Sequence, residues 1–414
     1  MNALLHNSAA RLDQARAHLL RISLRSPLLR RIFIDRALRL LTLFALFQVA
    51  ALLMCSIVPV WQLVLGPLLY GYAHLVSSVR YVHHGVSANA PSDAFDRRWL
   101  PLAALVGVYG LYRLLRLDIT GAPASEWAGI GVIEGVFVAM AVAAVAWAAR
   151  LSRDRLPSAA LIVVPLCLLL WTMPRITVAT LAFGHNFVGF LYWLRMARSR
   201  REYHAALACL LMFSVLTAAV ATGVLLPLRE LIGIDLESGS GGVSLAALGR
   251  MMAPDGAASP QAIASAFALG QSTHYFVWLK ALPDQVHDHT VPTTYRQSVR
   301  LLERDFGATL VRWLVLGVLG GLGLWLLLGL EAGRAVYFAL AGFHGLLELA
   351  GLGLLRTPTS TPAADTRQDE PNLFPLGRPH ARTMPCDPSH GDPSTGPEHQ
   401  LDGQHPSTRR RGHR

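Results

Sequence analysis

Ten apolar stretches recur along this chain, at residues 38–59, 61–82, 99–116, 127–149, 157–173, 175–195, 205–227, 260–282, 308–330 and 334–356. Most of them reach the roughly 18–20 residues that a helix needs to cross the hydrocarbon layer of a membrane. They are rich in Leu, Ala, Val and Gly and lack two-residue alternation, which excludes a transmembrane barrel. Within a bilayer every backbone N–H and C=O must be satisfied internally, so the remaining solution is a bundle of helices. Composition agrees. Charged residues make up 15% of the 414, against about 25% in soluble domains, which is too few to coat a water-facing surface. The expected fold is all-α, a polytopic transmembrane bundle of about ten helices.

Three segments are expected. Residues 1–36 place Arg among Leu and Ile at near-helical spacing and read as a basic amphipathic helix on the cytoplasmic leaflet. Residues 37–356 form the bundle. Residues 357–414 are rich in Pro, Thr, His, Asp and Arg and nearly free of aliphatics, so a disordered cytoplasmic tail is expected. The Arg-rich start shows no cleavable signal peptide.

The net charge is +11, and Lys280 is the only lysine. These cations gather at helix ends and in the tail, which fits topology control and contact with lipid headgroups rather than a nucleic-acid-reading face. With the N-terminus inside, the cytoplasmic connections hold Arg97/Arg98, Arg150/Arg153/Arg155, Arg195/Arg198/Arg200/Arg201 and Arg296/Arg300/Arg304. The opposite side holds Asp118, Glu126, Glu230, Asp235, Glu237 and Glu331. The positive-inside rule therefore predicts both termini in the cytoplasm of a bacterial-type inner membrane. Four scattered cysteines with no CxxC spacing argue against a disulfide framework, a thiolate zinc site or covalent haem.

Histidine within the spans carries the functional signal, because ionisable groups are costly at membrane depth. His74, His185, His274 and His344 fall in the second, sixth, eighth and tenth stretches, which all run in the same direction. Counted back from the cytoplasmic ends at 1.5 Å per residue, each lies roughly 12–18 Å deep. Separate interhelical hydrogen bonds would be the plain explanation. Four imidazoles in one layer point instead to a shared metal, since neutral imidazole suits Fe, Zn and Cu. Glu348 follows His344 by one turn and is the candidate catalytic carboxylate, as a ligand or as a partner that holds an imidazole tautomer. Glu134 is a second carboxylate at mid-span. Tyr70, Tyr72, Tyr192, Trp193, Tyr275 and Trp278 could line an apolar cavity. His83, His84, His204, His287 and His289 form another group at the cytoplasmic boundary, where His287-Asp288-His289 is a loose metal-trap pattern.

The segments YAHLVSSVRY, FGHNFVGF, STHYFVWL and GFHGLLEL each place one such histidine in a separate span. In this they resemble the Brp/Blh family of membrane β-carotene 15,15′-dioxygenases, which hold non-haem iron with four histidines. The chain departs from that family in lacking an Asp after His74 and His185, and in carrying one histidine in the third segment where the family has two. The resemblance implies Fe(II), dioxygen and a lipid-soluble substrate such as a carotenoid or another isoprenoid. From the residues alone three functions remain: a non-haem iron oxygenase, a b-type haem protein with two axial histidines, and a proton-coupled transporter with histidine relays.

Overall fold

A computed structural model of the chain describes residues 2–86, 99–116, 126–148, 156–224, 245–246, 249, 259–286 and 294–354, all within one compact unit. Thirteen continuous helices and no strand are found among them. They are α1 (Asn2–Ser23), α2 (Pro27–Ile34), α3 (Arg36–Ile57), α4 (59–86), α5 (Leu100–Leu115), α6 (Trp127–Ala148) and α7 (Leu156–Thr172). The rest are α8 (Pro174–Met196), α9 (Arg200–Ala221), α10 (260–286), α11 (Tyr295–Phe306), α12 (Ala308–Leu328) and α13 (Leu330–Leu354). The tail, the His287/His289 loop, Asp118, Glu230, Asp235, Glu237 and the arginines at 97–98 and 150–155 lie outside the described residues, as do the side chains of His83, His84 and Glu331.

A helix occupies each of the ten apolar stretches. Five helical segments are long and apolar enough to cross a membrane: Arg36–Ile57, Trp127–Ala148, Arg200–Ala221, Ala308–Leu328 and Val336–Leu354. The distribution of side chains is the inverse of a soluble protein. Leu327, Leu161, Leu326 and Trp147 are among the most exposed residues, whereas Arg39, Gln48, Glu134 and Asn186 are buried. Contiguous exposed apolar surface on this scale belongs against lipid.

Two expectations change in detail. The amphipathic start is not one helix, because the chain breaks between α1 and α2. Pro27 follows the break; proline offers no N–H, and it holds Ser26 in an extended conformation (ψ 126°). The segment before the ninth span was expected only as a connection and instead contains α11. A capping box formed by Thr294 and Gln297 starts this helix. Gly307 and Gly329, at φ 79° and 84°, then turn the chain into α12 and α13.

Polar contacts hold neighbouring helices in register. Gln48 and Gln62 donate their amide N–H groups to Thr273 Oγ1 (2.9 Å) and Ser272 Oγ (2.8 Å) on α10, and Ser77 Oγ donates to Trp278 O (2.6 Å). Ion pairs join the start of α3 to the start of α9 and to the end of α10, and the end of α4 to the end of α11. They include Arg36–Glu202 (3.3 Å), Arg39–Asp284 (3.5 Å) and Arg80–Asp305 (2.5 Å). The start of α3, the start of α9 and the end of α10 therefore share one end of the bundle.

On another side α1 lies along α11. The Asp13 carboxylate accepts the N–H groups of Tyr295 (2.7 Å) and Arg296 (3.2 Å), capping α11 from another helix. Burial alone would raise the Asp13 pKa, but these backbone donors and the Arg296 guanidinium hold it below the ordinary carboxylate value. A depressed folded-state pKa stabilises the contact at pH above the unfolded value and loses that effect as pH falls through the folded one. Spin labels on α1 and α11 are thus expected to stay at one distance at neutral pH and to separate only in acid below about pH 4. Asp13→Asn is expected to separate them at neutral pH; an unchanged distance would mean that apolar packing alone docks α1.

Candidate metal centre

Four helices, α4, α8, α10 and α13, surround the site, with α4 against α10 and α13, and α8 against the same two. Both α4 and α10 widen into a π-helical turn beside their histidine. In α4 the turn is Pro67–Gly71, three residues before His74; in α10 it is Val277–Ala281, three residues after His274. Proline accounts for the first, since Pro67 has no N–H to continue the regular ladder. Glycine makes the close packing of α4 on α13 possible: a Cβ on Gly71 would run into the Tyr337 ring of α13.

The structure brings all four predicted histidines together. Ring centroids lie 4.5 Å apart for His74–His274, 4.8 Å for both His74–His344 and His185–His274, and 5.3 Å for His185–His344. The tightest group is His74, His274, His344 and Glu348, whose donor atoms all lie within 4.8 Å of one another and which could hold a metal ion. His185 adds the fourth ring beside it. Exposure is 0% for His74 and Glu348 and 1% for His274, so water screens none of the three.

Donor spacing matches what a metal requires. His74 Nε2 and His274 Nε2 are 3.0 Å apart, and Glu348 Oε1 is 3.6 Å from each. Donors about 2.1 Å from one ion sit roughly 3.0–3.4 Å from one another. The outward nitrogens are tied back: His185 Nδ1 faces Leu181 O at 3.2 Å, and His344 Nδ1 faces Ala341 O. With Nδ1–H donating to those carbonyls, each Nε2 lone pair is left for a ligand bond. His344 Nε2, His274 Nδ1 and Glu348 Oε2 are buried with no hydrogen-bond partner among the described residues. An orphaned acceptor in an apolar interior is costly, and a cation beside His344 Nε2 and the Glu348 carboxylate would remove that cost.

Glu348 is anchored by two residues that the sequence reading missed or assigned elsewhere. Ser78 Oγ donates to Glu348 Oε1 at 2.7 Å and lies 3.3 Å from His74 Nε2, while Tyr192 Oη donates to the Glu348 backbone carbonyl at 3.0 Å. Ser78 follows His74 by one helical turn, as Glu348 follows His344, so the same spacing could have found it. Of the aromatic candidates, Tyr275 and Trp278 flank His74 at 5.3 and 5.9 Å. Trp193 stacks on Phe190 in the aromatic core, and Tyr70 is exposed. Tyr72 packs on Tyr337.

Two other candidates fall elsewhere. Glu134 accepts from Tyr109 Oη (2.8 Å) and pairs with Arg113 (3.0 Å), a separate buried ion pair between α5 and α6. His204 is exposed near the start of α9. No protein-family model, curated protein or solved structure matches this chain.

Proposed function

We propose that the chain is an integral-membrane non-haem metal oxygenase, with iron held by His74, His185, His274 and His344 and with a lipid-soluble substrate such as a carotenoid or another isoprenoid. One observation carries this reading: the buried convergence of His74, His274 and His344 with Glu348, whose donor atoms all lie within 4.8 Å of one another. Imidazole with carboxylate is a donor set suited to Fe(II), and a dication offsets the charge of a fully buried carboxylate. When bound, such an iron supplies dioxygen activation. The chain's own residues perform the remaining tasks. Glu348, held by Ser78, fixes the imidazole orientations and is placed to hold or release a proton at Oε1. Tyr275 and Trp278 give the centre an apolar wall, which excludes water and admits a hydrocarbon substrate.

The same reading takes all ten apolar helices as membrane crossings, with both termini cytoplasmic and the substrate reaching the site from within the bilayer. The resemblance to the Brp/Blh family supports it through the four histidine segments.

A b-type haem fits poorly. A porphyrin is a broad plane that must pass between its two axial rings. The closest pair, His74 and His274, is flanked by His344, 4.8 Å from His74, and His185, 4.8 Å from His274, where the macrocycle would have to extend. Transport by histidine relay is the remaining reading.

Metal analysis and an optical spectrum of the purified protein separate the three. We expect about one iron per chain, from the cluster of His74, His185, His274, His344 and Glu348, and no Soret band. A Soret band would establish haem, and a protein that takes up no metal would leave the relay or a structural role.

A further inference from the structure

The turn between α1 and α2 has no part in the metal chemistry, yet it gathers three cations around one cavity. Arg25, Arg30 and Arg31, with Leu24, Pro27 and Ile34, line a cavity of about 490 Å³. None of the three guanidinium groups meets a carboxylate among the described residues. Asp35, at the cavity's edge, is committed elsewhere: it pairs with Arg201 at 2.7 Å and accepts the Leu38 N–H at 3.1 Å.

The first turn of α2 adds to this. Ser26 stands at its N-cap without a side-chain cap bond, so the opening amides of an eight-residue helix are left for an outside acceptor. Around the cations the surface is apolar, with Leu24, Leu28 and Ile34 all exposed. Position decides what such a site meets. α3 begins at Arg36, directly after Asp35, and is long and apolar enough to cross a membrane. A cavity at the mouth of that span sits at the depth of the lipid phosphates.

We propose that the α1–α2 turn binds the headgroup of an anionic glycerophospholipid. Arg25, Arg30 and Arg31 surround the phosphate, and Leu24, Leu28 and Ile34 lie against the acyl chains. Arg11, Arg16 and Arg21 on α1, opposed in that helix by Asp13 alone, extend the positive field along the leaflet. The inference rests on the membrane reading and not on the metal centre.

The test titrates the full-length protein in neutral detergent with phosphatidylglycerol, phosphatidylcholine and inorganic phosphate, and counts bound ligands by native mass spectrometry. Wild type is expected to bind phosphatidylglycerol selectively. The triple variant Arg25→Gln/Arg30→Gln/Arg31→Gln should lose about 100-fold in that affinity at low salt, from roughly fivefold per arginine. The corresponding triple Lys variant should keep most of the affinity, and equal helical circular dichroism would show all three proteins folded. Equal binding of the two lipids by wild type, or undiminished phosphatidylglycerol binding by the Gln variant, would overturn the proposal. Inorganic phosphate binding as tightly as phosphatidylglycerol would also overturn it, by making the ligand a soluble anion.

Discussion

His274→Ala is expected to leave the protein folded in its membrane and nearly free of metal. His274 Nε2 lies 3.0 Å from His74 Nε2 and 3.6 Å from Glu348 Oε1, so its removal takes one donor from the centre and opens a hole beside the others. Losing a partner outside the donor set typically costs about 10–100-fold in metal affinity or activity, and losing a donor should cost more. The comparison is therefore graded. Ala at His74, His185, His274 or His344 should remove most of the metal. Ser78→Ala should fall in the 10–100-fold range, because it removes the hydrogen bond to Glu348 and the contact with His74 but no donor. His204→Ala, at an exposed position, should change nothing. Glu348→Gln keeps the shape and separates two roles: loss of metal to the extent seen for the histidines marks a ligand, and the milder Ser78-like loss marks a partner. Metal measured per folded protein is the readout. Full occupancy in His185→Ala and His274→Ala would dismantle the shared centre and return the four residues to separate interhelical hydrogen bonds.

The second large effect concerns the buried ion pair of α5 and α6. Glu134 is 4% exposed; it pairs with Arg113 at 3.0 Å and accepts from Tyr109 Oη at 2.8 Å. Arg113→Met leaves the carboxylate uncompensated, and Glu134→Leu does the same to the guanidinium. Breaking a buried pair from one side costs about 3–5 kcal/mol, whereas replacing both partners by apolar residues is often near neutral. Each single variant is thus expected to lower the thermal midpoint in detergent sharply, and the double variant Arg113→Met/Glu134→Leu to regain most of the loss. Additive losses in the double variant would show that the two side chains act independently. The pair sits beside α13, where Tyr109 packs against Phe343, the residue before His344. Single variants should for that reason also weaken metal retention, and the double variant should restore it. This return of metal together with stability distinguishes a scaffold from a ligand.

Much of the architecture was legible in the chain because lipid imposes a simple rule. A span must be continuous, apolar and helical, so ten stretches stood out by hydropathy; a helix is found at each, and five helical segments among the described residues are long and apolar enough to cross a membrane. The histidines were legible for the complementary reason: a polar group at membrane depth is costly and stands out against Leu and Ala. Their spacing along separate helices placed His74, His185, His274 and His344 in one layer, and Glu348 followed from its place one turn after His344. Pro27 and Thr294 were also visible as signals, but the break before α2 and the cap of α11 lay in short, polar segments where hydropathy says little.

What only the tertiary structure decided is how each helix is rotated about its own axis. A hydropathy pattern gives depth, and depth alone could not show whether Glu134 joined the histidines or Arg113. It could not single out Ser78, which reaches Glu348 across 270 residues, or Tyr192, which reaches it across 156. The π-turns beside His74 and His274 shift the facing of those helices locally, and close packing of Gly71 on Tyr337 sets the approach of α4 to α13. Sequence thus determined which polar groups fall within the apolar helices and how far along each one. Rotation and close packing, which depend on every neighbour at once, decided which of them meet.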